Sequence, residues 1–286
     1  MAKTIDTLVD DIQALFKNGH VTDPKLLEGF GRAIADVVGS RLSEHQTERG
    51  SSILRMSNIG KPDRQLWYDT HREAGDRESL NPSIKIKFMF GDILEQFLLY
   101  LAVESGHSVE HTQARVELDG VPGSIDCIID GVLVDVKSAS TFSFQKFKDG
   151  SLVMDDPFGY IQQLAGYSAA LGGIGGAFLV IDKTLGHICL LQYDGKVLEA
   201  FDARSRVGEA KRILAMEEPP ERCYEPKEDG KSGNLILSVG CSYCPFKKEC
   251  WSDSNDGIGL RTFLYSTGPR HFVQVLKEPQ VAELTF

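Results

Sequence analysis

This sequence predicts an α/β layered fold, on three observations. Strand-forming runs concentrate mid-chain, at about 107–118, 122–129, 132–138, 176–183 and 187–194. Helical periodicity surrounds and interrupts them, at about 84–105, 157–171 and 195–216. That order (helix, three strands, helix, two strands, helix) suits a mixed central β-sheet flanked by helices.

The chain has 286 residues, enough for one large domain and a small appendage. Four regions are expected: a helical segment over 1–50, an α/β core over 51–217, a cysteine-bearing appendage over 218–255 and a tail over 256–286. Two helices should open the chain, near 4–18 and 24–46. The first sets Ile5, Leu8, Ile12, Leu15 and Phe16 on one face. In the 84–105 helix, Phe90, Ile93, Phe97 and Leu101 are the expected apolar side. Gly91 in its interior costs about 1 kcal/mol relative to Ala, which implies close packing there. Thr184 to Gly186 reads as a turn between two strands.

The net charge of −10 argues against a protein that coats nucleic acid through bulk charge. A local basic strip is nevertheless visible in Arg55, Lys61, Arg64, Arg72, Arg77, Lys85 and Lys87. A solvated charged face is the alternative reading. No apolar run approaches the roughly 20 residues that span a bilayer. The opening segment carries Asp6, Asp10 and Asp11 and does not read as a signal peptide, so a cytoplasmic protein is expected.

The segment from Gly123 to Lys137, GSIDCIIDGVLVDVK, is the most informative. Asp130-Gly131 between two β-rich runs is a two-residue hairpin signal. That turn pairs Ile129 with Val132, Ile128 with Leu133, Cys127 with Val134, and so sets Asp126 opposite Asp135. Opposed side chains stand about 5 Å apart, and two like charges there repel. A divalent cation between them would turn the repulsion into binding. Strand alternation puts Lys137 on the face of Asp135, with Val134 and Val136 on the other. A lysine there can orient or deprotonate water, or stabilise charge on a phosphate.

These residues resemble the PD-(D/E)XK nuclease core, whose signature runs Gly-x-x-Asp, hairpin, Asp-x-Lys, here GSID and VDVKS. GDILEQ resembles the family's Gly-x-x-x-Glu helix motif, at Gly91 and Glu95. QQLAGY resembles its Gln-x-x-x-Tyr motif, at Gln163 and Tyr167. The resemblance covers about residues 50–255, and is to the RecB-type, CRISPR-associated and phage recombination exonucleases. It implies a restriction-endonuclease-like core and a DNA exonuclease of recombination or end processing, in a bacterial or phage-infected cytoplasm. It implies Mg²⁺ or Mn²⁺ on Glu95, Asp126, Asp135 and the carbonyl of Val136, with Lys137 serving the water and Gln163 and Tyr167 positioning DNA or the lysine. No Walker-type GxxxxGK[ST] is present, so a helicase or recombination partner would be a separate protein. Alternatives are a structure- or sequence-specific endonuclease with the same site, and a non-catalytic, metal-stapled DNA-binding module.

Cys241-x₂-Cys244-x₅-Cys250 has metal-ligand spacing, and Cys223 is the nearest fourth candidate. The spacing resembles the iron–sulfur staple of CRISPR-associated and AddB-type nucleases. There the fourth cysteine precedes the core; here KPDRQLWY offers none. Four thiolates suit either Zn²⁺ or a [4Fe-4S] cluster. Cys127 and Cys189 read as core residues.

Overall fold

The computed structural model describes residues 3–17, 19–43, 54–72 and 82–284. The helices are α1 (Leu8–Lys17), α2 (Pro24–Ser43), α3 (Asp63–His71), α4 (Pro82–Glu104), α5 (Thr141–Lys148), α6 (Tyr160–Ala170), α7 (Gly195–Glu199) and α8 (Ala203–Leu214), besides short turns of helix. The strands are β1 (Val109–Glu110), β2 (Arg115–Leu118), β3 (Val121–Ser124), β4 (Cys127–Ile129), β5 (Val132–Ala139), β6 (Gly176–Asp182), β7 (Ile188–Tyr193), β8 (Lys227–Glu228), β9 (Leu235–Ile236), β10 (Arg261–Tyr265), β11 (Gly268–Gln274) and β12 (Glu283–Leu284). They form two compact units. The first comprises Met1–Thr47, Leu54–Gly60 and Asn81–Glu209. The second comprises Glu48–Ile53, Lys61–Leu80 and Ala210–Phe286.

The first unit has the expected architecture, a mixed central sheet flanked by helices. Its strands run β1-β4-β5-β6-β7, antiparallel except for the β5–β6 pair. A parallel pair needs a crossover, and α5 and α6 supply it. β6 is buried along its whole length, as suits a strand covered on both faces. Alternation divides β5. Val134 and Val136 join Cys127, Ile129, Leu179 and Ile181 in a core capped by Leu8 and Ile12 of α1 and Leu98 and Leu101 of α4. Leu133, Asp135 and Lys137 take the other face. There Phe178, the partner of Asp135 in β6, meets Phe147 of α5 edge-on at 5.4 Å between ring centroids.

Several elements depart from the sequence reading. The expected 107–118 strand breaks where His111 and Gln113 take positive φ, and the 122–129 strand breaks at Ile125 and Asp126. The 195–216 helix is two helices, parted at Asp202, which has φ 40°. α5 was not expected; Ser140 starts it by accepting from the Ser143 N–H at 3.3 Å. α2 ends at Ser43, and the expected 44–46 turn lies outside the described residues. Phe16 leaves the buried face of α1 and is 68% exposed. Phe90 too is largely exposed, although it was expected on the apolar side of α4. Gly91 does pack closely: a Cβ there would lie 3.3 Å from Ser138 Oγ.

The second unit holds a five-stranded sheet, β12-β10-β11-β9-β8, in which every pairing is antiparallel. Three of its strands come from 256–286, so the expected tail is folded. Trp67 and Tyr68 of α3 pack with Ile213 and Phe246 in its small core. Residues 61–72, expected in the α/β core, thus belong with the cysteine-bearing segment.

One backbone contact within the first unit is close enough to fix two residue types. A Cβ on Gly60 would stand 2.3 Å from Gly159 O, and one on Gly159 would stand 2.2 Å from Gly60 O. Gly159 also has φ +71°, which side chains disfavour. Gly60→Ala and Gly159→Ala should each lower stability by about 1–3 kcal/mol or more, because backbone must move. Gly131, at φ +84° with nothing within 4 Å of a Cβ, is the control. Asn tolerates positive φ better than other side chains, so Gly131→Asn should lose less stability than either alanine variant in urea or thermal melts.

Candidate active site

The β4–β5 hairpin pairs Ile129 with Val132, Ile128 with Leu133 and Cys127 with Val134, the expected register. The ladder stops one residue short of Asp126 and Asp135. Asp126 instead uses its carboxylate, Oδ2 accepting from the Val136 N–H at 2.8 Å. Asp135 is 2% exposed and faces Lys137, whose Nζ lies 2.5 Å from Asp135 Oδ2. Glu95 comes from α4, and Gln113 Nε2 donates to its Oε1 at 3.1 Å.

The electrostatics show these groups acting as one cluster. Burial, then the charge of Asp135, pushes the Asp126 carboxyl up to about 8. Burial, then Asp92, also raises the Glu95 carboxyl, with Asp135 adding to the shift and Lys137 opposing it. For Lys137, burial favours the neutral amine, but Asp135 and Asp126 outweigh it and hold the ammonium above its usual range. Three acids thus share one poorly hydrated place with one compensating lysine. Among the described residues, no three or more His, Cys, Asp or Glu side chains already converge as an ion site. The donor set nevertheless has the chemistry of hard, oxygen-seeking cations such as Mg²⁺ or Mn²⁺.

Gln163 and Tyr167 stand one turn apart on α6, Gln163 Nε2 donating to Tyr167 Oη at 3.3 Å. Asp135, Asp126 and Lys137 all influence the Tyr167 phenol, which burial raises. The aromatic partner of the lysine is Tyr160, one turn before Gln163: Lys137 Nζ lies 5.0 Å from its ring centroid. Tyr160 was not singled out in the sequence, although YIQQLAGY sets it at helical spacing from Gln163 and Tyr167. Gln113 was missed too. Besides its bond to Glu95, its backbone N–H donates to the Asp126 carbonyl at 3.0 Å. No short motif signals it, because it acts from a break between strands.

In the second unit, Cys223, Cys241, Cys244 and Cys250 line one cavity of about 20 Å³ with Arg64, Tyr68 and Trp251. That space takes about one water-sized sphere. Burial pushes the Cys244 thiol up to about 12, and also raises those of Cys223 and Cys241. Arg64 Nε donates to Cys250 Sγ at 3.2 Å. The four sulfurs share a cavity without converging on one point. Cys127 is buried and Cys189 half-buried, both in strands of the first unit's sheet.

Three of the seven residues of the basic strip are engaged inside the protein, and Arg55 is exposed. Lys61 pairs with Asp69 at 2.6 Å and Arg72 with Glu249 at 2.6 Å, while Arg64 serves Cys250 and the Pro220 carbonyl. Lys85 and Lys87 are exposed on α4, and Arg77 lies outside the described residues. No helix among the described residues is long and apolar enough to cross a membrane.

The Asp126 carboxyl has a stability signature. In the unfolded chain it ionises near 3.8, and in the folded chain near 8, so between those values the folded state binds the extra proton. Metal-free protein should therefore lose stability as pH rises from about 4 to about 8. Asp126→Asn, which keeps an acceptor for the Val136 N–H, should flatten that dependence and raise the melting temperature at pH 8. Melting curves in chelator across this range check both effects. An unchanged pH profile in the variant would mean that Asp126 is not the strained group.

No protein-family model matches the sequence. No curated relative matches it. Among solved structures, SSO0001 aligns over 76% of this chain and 93% of its own, at 16% identity and a TM-score of 0.44. A phage-related exonuclease from Haemophilus somnus 129PT aligns over 57% of this chain and 94% of its own, at 15% identity and 0.38. The alkaline exonuclease LHK-Exo from Laribacter hongkongensis aligns over 55% and 91%, at 15% and 0.31. A structure of LHK-Exo in complex with dAMP aligns over 56% of this chain and 92% of that one, at 16% identity and 0.36.

Proposed function

We propose that this chain is a PD-(D/E)XK deoxyribonuclease that removes nucleotides from DNA ends, in recombination or end processing. The observation that carries the reading is Asp135 and Lys137 on one face of β5, 2.5 Å apart, with Asp126 and Glu95 in the same buried cluster. A divalent cation held by Glu95, Asp126, Asp135 and the Val136 carbonyl would supply Lewis acidity toward the scissile phosphate.

The chain's own residues supply the rest. Lys137 is held as an ammonium by Asp135, so its part is electrostatic: it orients water and meets negative charge developing on phosphate oxygens. Tyr160 holds that ammonium over its ring and limits its reach. Gln113 fixes the Glu95 carboxylate and, through its backbone, the Asp126 loop. Gln163 and Tyr167, bonded to each other, steady α6 beside the acids.

End-labelled linear DNA, single and double stranded, with Mg²⁺ or Mn²⁺ tests the reaction, and closed circular DNA separates exonuclease from endonuclease. Asp135→Ala and Lys137→Ala should each cut the rate about 100-fold or more. Asp135→Ala should also abolish the rise in melting temperature that the metal gives, while Lys137→Ala keeps it. Near wild-type cleavage by either variant would refute the site.

We further propose that Cys223, Cys241, Cys244 and Cys250 take one thiolate-bound metal centre, either zinc or a [4Fe-4S] cluster. Support comes from their shared cavity and from the metal-ligand spacing of Cys241, Cys244 and Cys250. Anaerobic purification followed by metal and labile-sulfide analysis should give about one zinc per chain, or iron with sulfide. Serine at Cys241, Cys244 or Cys250 should lower both metal content and melting temperature, and serine at Cys127 or Cys189 should leave metal content unchanged.

A further inference from the structure

We propose that Phe158 and Tyr160 form a stacking platform for the unpaired bases of single-stranded DNA at the edge of the acid–lysine cluster. The proposal rests on the nuclease reading and specifies the substrate of that site.

The rings lead outward from the chemistry. Tyr160 lies beneath the Lys137 ammonium. Phe158 is next, its ring centroid 5.5 Å from that of Tyr160 with 31° between planes. Phe158 is 47% exposed, so about half of it meets solvent. Its place is fixed: the next residue, Gly159, lies against the Gly60 backbone. On α4, Phe88 and Phe90 are 51% and 53% exposed and lead directly into Gly91, which packs against Ser138, the residue after Lys137. Lys85 and Lys87 are exposed on the same stretch of helix.

The half-exposed ring of Phe158, set outward from Tyr160 and the Lys137 ammonium, suits one occupant above others. Each nucleotide of a single strand carries a π-face and a phosphate about one ring apart, and stacking accepts any base. A duplex keeps its bases stacked on each other, so its terminal or frayed nucleotides alone could use such a platform. A purely apolar partner would meet Lys137 and the acids around it at the inner end of the rings, to which it offers no polar group.

Fluorescence anisotropy with the full chain in Ca²⁺ should compare a labelled oligo(dT) with an abasic strand of the same length and charge. The wild type should bind oligo(dT) about tenfold more tightly. Phe158→Ala should remove most of that preference, and Phe158→Trp should restore it. Equal affinity of the wild type for the two strands would overturn the platform, and so would an unchanged preference in Phe158→Ala. If sedimentation shows that Phe158→Ala dissociates an oligomer and leaves DNA binding unaltered, the rings belong to a second copy and the platform is refuted. A base preference lost in Phe158→Ala, with no cleavage in Mg²⁺ or Mn²⁺, sustains the platform and removes the nuclease reading. Cleavage without a base preference does the reverse.

Discussion

The Asp130–Gly131 turn fixes where every acid and cation of the hairpin points. Its two residues have φ 49° and 84°, the paired positive values of a tight hairpin turn that continues the twist of its strands. A slip of one residue would send Asp135 and Lys137 into the apolar core beneath α4 and bring Val134 and Val136 to the acids. The turn is held from outside as well. Asp130 accepts from the Ser108 N–H at 3.0 Å through one oxygen, and the other lies 2.6 Å from Nδ1 of the buried His107. The second ring nitrogen of His107 faces Asp11 of α1 at 3.1 Å. The N-terminal helix thus reaches the hairpin through a chain of polar contacts as well as through the apolar core.

With the register fixed, the site becomes a problem of placing negative charge where water is scarce. Burial of Asp126 beside Asp135 would be costly, and the fold offsets it in three ways. The Val136 N–H serves Asp126, the Lys137 ammonium serves Asp135, and the amide of Gln113 serves Glu95. The compensation is incomplete, as the high Asp126 carboxyl shows. An arrangement that leaves acids protonated or strained near neutral pH is poor as a structural device, since apolar residues would fill the space more stably. It would suit the cation-bound site proposed above.

What could be read in advance, and what could not, follows from how local each signal is. The hairpin is local: a turn dipeptide and a period of two give the register, the shared face of Asp135 and Lys137, and the opposed valines. The close approach at Gly91 is legible because glycine inside a helix has a known cost. Gln113 is not legible, because its role depends on two positive-φ residues that fold the strand back toward α4. Tyr160 sits at helical spacing from Gln163, yet only the fold brings Lys137 over its ring. The last sheet was hidden by its own sequence. β11 opens with Gly268 and Pro269, and its pairing with β9 shifts register between Phe272 and Gln274, so the alternation that marks a strand is broken.

The charge pattern gives the least expected result. Read along the chain, the arginines and lysines between residues 55 and 87 suggest a track for phosphates. In the folded protein Lys61, Arg64 and Arg72 are bonded to Asp69, Cys250 and Glu249. A chain of net charge −10 with three of its seven strip cations so occupied gains less from displacing condensed counterions. On the nuclease reading, affinity for DNA would draw on the Lys137 ammonium, the exposed lysines of α4 and the aromatic faces near the acids. Such contacts act over one or a few nucleotides, and their lysine–phosphate part weakens with salt. On the exonuclease reading proposed above, short-range contacts suit work at a strand end, where long-range attraction along the whole duplex would hold the protein away from its site of action.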